Sequence, residues 1–66
     1  MRNPNRLYTF YDKLRDLHIK HFPDWRFGQF ISNFFGWLAV EKGVDAFFPE
    51  EDDILKYFEE YTGDRN

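Results

Sequence analysis

Between Pro23 and Gly43 lies a stretch that can be read only as a helix with apolar residues on nearly every face. Phe27, Phe30, Ile31, Phe34 and Leu38 form one stripe, and Phe35, Trp37, Ala39 and Val40 spill onto the neighbouring faces. A helix of that kind is normally buried all round. The chain has only 66 residues in which to do it. Its other segments must therefore wrap this helix, or part of the helix must stay uncovered for something else.

Two further helices are available for wrapping. Asn3 and Pro4 form a cap and a first helical residue. Leu7, Phe10, Tyr11, Leu14, Leu17, His18 and His21 then recur at spacings of three and four, which predicts a helix ending near His21, just ahead of Pro23. Asp12, Arg15 and Asp16 mark its solvated side. Asp24 is the expected cap of the central helix over about 25–42, with Phe22 packing back as a staple and Gly43 as the stop. Glu50, Glu51, Asp52 and Asp53 open a third helix on the acidic side that suits its dipole. Ile54, Leu55, Phe58 and Tyr61 are its apolar stripe, and Gly63 ends it. Phe47 and Phe48, in the connector, are expected to plug the base of the core. The fold class is all-α: a compact three-helix bundle around a central aromatic-rich helix, a single domain over residues 1–66.

Composition narrows the functional classes. There is no cysteine, so no disulfide, thiolate metal site or redox motif. Nine Phe, four Tyr and two Trp supply bulk that a short chain needs for a core. No apolar run is long enough to span a bilayer. The polar start of the chain lacks a signal-peptide pattern, and together with the missing cysteines this predicts a cytoplasmic protein without membrane association. Residues 1–26 carry six Lys/Arg against three Asp/Glu (net +3), and residues 27–66 carry three against nine (net −6). The simplest use of that asymmetry is attraction between the two halves on folding.

Catalytic and metal chemistry find little support. His18 and His21 are three apart and a metal site needs a third ligand, for which Asp24 or an acid of the third helix is available, but two histidines without a cysteine are a weak signal. The run Glu50–Asp53 reads as a helix start rather than an acid–base pair in a cleft. Ser32, the sole serine, is mid-helix with no nucleophile turn. The expectation is a non-enzymatic protein with no catalytic residue, metal, cofactor or small-molecule substrate. Nucleic acid is the alternative partner, with Arg2, Arg6, Arg15 and Lys20 contacting phosphates from the basic N-terminal helix. Against it, neither later helix reads as a major-groove helix.

Protein association is the reading the residues favour, because Trp, Tyr, Phe and Arg are enriched at interface cores. Trp25, Arg26, Gln29, Phe35 and Trp37 are the candidate partner-binding residues, with Trp25 and Trp37 expected to be removable without loss of fold. Gly28, Ser32 and Gly36, spaced by four, form a small-residue ridge open to close approach by a backbone of this chain or of another. The product is an interaction module that binds a protein partner or forms a homodimer.

A resemblance runs through the same residues. Arg6-Leu7, Phe10, Leu14 and Leu17, then Pro23-Asp24-Trp25-Arg26-Phe27-Gly28-Gln29-Phe30, then Phe47, Phe48, Glu51, Asp52, Asp53 and Leu55, resemble a group of small bacterial and phage-encoded proteins of unknown function, with the YihD-like proteins as distant relatives. His18 stands where relatives often carry Trp. The resemblance implies a compact helical protein in a phage or prophage setting, and no activity. Within its motif, Asp24 is expected to cap, Gly28 to permit close approach, Arg26 to pair with the acidic start of the third helix, and Gln29 to bond the connector.

Overall fold

The computed structural model describes residues 2–63, and they form three helices with no strand among them. Helix α1 spans Arg6–His21, α2 spans Phe27–Trp37 and α3 spans Glu51–Thr62. A π-helical turn, Leu38–Lys42, prolongs α2. The architecture is the all-α three-helix bundle expected from the sequence.

Helix α1 begins later than the Asn3–Pro4 start expected from sequence, at Arg6 with Asn5 as its N-cap. Asn3 Oδ1 accepts from the Asn5 N–H at 2.9 Å, and Leu7 N–H bonds the Pro4 carbonyl at 3.0 Å, so Asn3 and Pro4 form a tight turn that leads into the helix. The helix stops at His21, where Phe22 leaves the helical conformation before Pro23. Gly43 and Gly63 end the second and third helices in the left-handed conformation, at φ 65° and 73°. After Gly43, the Val44 N–H reaches back to the Leu38 carbonyl at 3.1 Å, closing the π turn.

The start of α2 differs from expectation. Its N-cap residue is Arg26, not Asp24, and Gln29 Oε1 accepts from the Arg26 N–H at 2.8 Å. Gln29 thus satisfies an orphan backbone donor at the helix mouth, as the third residue of a capping box does, and does not serve the connector.

The core is Leu14, Phe30, Phe34, Leu38, Ile54 and Phe58. Phe30, Phe34 and Leu38 are each fully buried, a single i, i+4, i+8 stripe of the central helix. Phe34 and Phe58 stack with centroids 3.6 Å apart, Phe30 lies 5.4 Å from Phe58, and Trp37 lies 6.0 Å from Phe34. His18 stacks on Phe30 at 4.4 Å, and its Nε2 donates to the Trp25 carbonyl at 2.8 Å, tying α1 to the turn before α2. Phe22 stacks on Trp25 at 4.3 Å and touches Tyr61 of α3 at 5.7 Å. Burial keeps the Tyr61 hydroxyl neutral, raising its pKa.

Helices α1 and α3 run parallel, since Arg2 and Arg6 meet Glu50 and Glu51 at one end and Phe22 meets Tyr61 at the other. The ion pairs, 2.6 and 2.8 Å, join the basic and acidic halves as the charge asymmetry predicts. Lys42 and Glu60 add a third pair at 2.7 Å. Arg15 pairs with Asp12 and Asp16 on the solvated side of α1.

Two substitutions test this packing. Phe34→Ala should cost about 3–5 kcal/mol, the usual range for emptying a buried Phe site, and unfold much of the population at ambient temperature. Gly36→Ala should stabilise by up to about 1 kcal/mol, because an added Cβ meets nothing within 4 Å. Urea melts of the two variants check both signs.

Candidate interaction surface

Phe47 and Phe48 do not plug the core. They are 84% and 75% exposed, which corrects the expectation from sequence. The cause is the turn that carries them. Asp45 Oδ1 accepts from the Phe47 N–H at 3.0 Å, and the Asp45 carbonyl accepts from the Phe48 N–H at 3.2 Å. This Asx-type turn points the pair away from the bundle, and the two rings rest edge to face at 5.1 Å. Phe27 joins them outside, at 63% exposed, although it belongs to the apolar run of the central helix.

These side chains border one cleft of about 520 Å³. Tyr11 lines it from α1, Phe27, Ile31 and Phe35 from α2, and Phe47 and Phe48 from the connector. Leu14, Ile54 and Phe58 reach its floor, so the exposed aromatics are continuous with the core. Arg2 and Glu51 stand at its edge. The cleft exists because the core has taken the Phe30–Phe34–Leu38 stripe of α2 and, among the described residues, no segment covers the stripe beside it.

The five residues singled out from sequence are not gathered into one site. Phe35 lines the cleft and is 43% exposed. Trp25 and Trp37 are half-buried and packed against the core, so truncating either removes packing from the fold. Arg26 and Gln29 form the mouth of α2. The acidic start of α3 is met by Arg2 and Arg6 rather than by Arg26. The residues that sequence reasoning missed are Phe27, Phe47, Phe48 and Tyr11. The Asp45-x-Phe47 spacing of an Asx turn was the available signal for the pair facing outward.

Among the described residues, no backbone lies against the glycine ridge. Gly28, Ser32 and Gly36 are exposed, and neither glycine has a neighbour within 4 Å of an added Cβ. Among the described residues, no group of three His, Cys, Asp or Glu is placed to hold a metal. No helix among them is long and apolar enough to cross a membrane.

The edge of the cleft is electrostatically fixed. The Arg6 side chain, bonded to Glu51 at 2.8 Å, holds the Glu51 carboxyl below its usual range, with partial desolvation opposing.

No family model matches the chain, and neither the curated proteins nor the solved structures provide a match to it.

The Arg6–Glu51 pair has a pH signature. A carboxyl with a folded-state pKa below its unfolded value contributes stability that is complete at neutral pH and disappears as pH falls through the folded value. Arg6→Met should therefore destabilise slightly at neutral pH, and the gap to the wild type should close on acidification. Denaturant melts at about pH 7 and about pH 3 read this directly. A gap that widens in acid would contradict the assignment.

Proposed function

We propose that this chain is a small, non-enzymatic, cytoplasmic protein-interaction module whose working surface is the aromatic cleft between α1, α2 and the connector. One observation carries the reading: a contiguous set of aromatic side chains, Tyr11, Phe27, Phe35, Phe47 and Phe48, left in solvent by a chain with a closed core. Continuous exposed apolar surface on a small protein marks a place where another surface docks. The Asx turn at Asp45 favours the same conclusion, because a preorganised anchor loses less entropy on binding. The resemblance across residues 6–58 supports a bacterial or phage setting.

Three of the four residues of the phosphate-contacting alternative are paired with carboxylates within the chain, which counts against it. Arg2 and Arg6 are engaged by Glu50 and Glu51, and Arg15 by two aspartates. Binding nucleic acid would require breaking those pairs against an acidic neighbour.

Light scattering behind a sizing column, across a wide concentration range and with partner capture on the immobilised chain, tests the proposal. The Phe47→Ser/Phe48→Ser double variant should keep the wild-type melting midpoint, since exposed positions usually change stability by less than about 0.5 kcal/mol. It should lose self-association or capture by about tenfold or more, as expected for aromatic anchors. Association left intact in a folded double variant would refute the cleft as the working surface.

A further inference from the structure

We infer that the outer face of α1 is a second interaction surface, separate from the cleft, and that its occupant is another copy of this chain laid antiparallel to it. The inference stands independently of the reading given to the cleft.

Placement comes first. Tyr8, Asp12, Arg15 and Ile19 follow one another along α1 by steps of four, three and four residues. At 3.6 residues per turn they fall within an arc of about 60°. Phe10, Leu14 and Leu17, which pack into the core, lie on the other side of the helix. The whole stripe stands in solvent: Tyr8 and Ile19 are 74% and 64% exposed, and the side chains of Asp12 and Arg15 are exposed between them.

Charge fixes the occupant. Read from either end, the stripe runs apolar, charged, charged, apolar. Laid antiparallel on a second copy, Asp12 faces Arg15 and Tyr8 faces Ile19, and the two-fold axis repeats both pairs. A parallel arrangement in register would set Asp12 on Asp12 and Arg15 on Arg15, which like-charge repulsion disfavours. Within one chain Arg15 contacts Asp12 at 3.5 Å and Asp16 at 3.1 Å. Ion pairs this exposed contribute little, so sharing Arg15 and Asp12 with a second copy gives up little.

Shape agrees with charge. A shallow hollow of about 350 Å³, bordered by Pro4, Leu7, Tyr8, Tyr11 and Asp12, lies at the N-terminal end of the stripe. The antiparallel register brings Ile19 of the second copy, a protruding apolar side chain, to that hollow, and the symmetry fills both hollows at once. Side chains spaced by three and four are the ridges through which two helices interlock. One helix face is small beside the ~800 Å² per partner of a standard interface, so the dimer is a reversible one.

Light scattering over concentrations up to the solubility limit tests the inference, with thermal melts to show that each variant is folded. The wild type should pass from monomer to dimer as concentration rises. Asp12→Arg sets like charges at both facing pairs, as does Arg15→Asp, and each alone should weaken self-association by about tenfold or more. An equimolar mixture of these two variants should restore the dimer, because every facing pair then joins opposite charges. Ile19→Ser should weaken it several-fold by emptying the hollow. Phe47→Ser/Phe48→Ser should leave this dimer as it is in the wild type. A wild type that stays monomeric throughout, charge variants that dimerise as it does, or a mixture no better than its components would overturn the inference. So would a dimer that the Phe double variant dissolves, since that dimer would belong to the cleft. The cleft reading fails separately, on capture of a partner that the Phe double variant leaves unchanged.

Discussion

The face-to-face contact of Phe34 with Phe58 is the interaction on which the rest of the structure depends. It joins the central helix to the last one at the middle of the core, and the other rings extend from it. Phe30 touches Phe58, His18 covers Phe30, and Trp37 and Tyr61 flank Phe34. Ring electrostatics prefer an offset or edge-on arrangement. The rings lie nearly parallel, and both are withdrawn from water, a gain that does not depend on their tilt. With no disulfide and few residues, such a core is what holds the chain together.

The same economy produces the exposed cleft. A fully covered central helix needs neighbours on all sides, and α1 and α3 supply them for the stripe of Phe30, Phe34 and Leu38 only. Phe27 and Phe35 lie on the adjacent stripe and remain outside. The connector that could have folded over them is held outward by Asp45. Core and surface are two halves of one aromatic set, divided by how much chain there is to cover it.

Much of this was legible in the sequence where a local signal acts alone. Pro23, Gly43 and Gly63 set helix ends through backbone sterics, and the i, i+4 spacing of Phe30, Phe34 and Leu38 picked out the core. Phe47 and Phe48 were misplaced because hydrophobicity measures the gain on leaving water and says nothing about whether a covering surface exists. Asp24 was favoured as a cap by its residue type, whereas Gln29, three residues beyond Arg26, satisfies the backbone donor instead. The π turn at Leu38–Lys42 left no recognisable mark in the residue types. The cleft itself is a property of three segments meeting, so only its residues, not their grouping, could be read in advance.

The parallel arrangement of α1 and α3 bears on how the chain acquires its structure. Arg2 meets Glu50 and Arg6 meets Glu51 across separations of 48 and 45 residues, so these contacts close most of the chain into a loop. Closing a loop of that length costs entropy, which rises only slowly with its length. Helix α2 has no complete burial partner until Ile54 and Phe58 arrive from the last helix. The burial of α2 thus depends on α3, so the three helices are expected to form as one cooperative unit, as small single domains usually do.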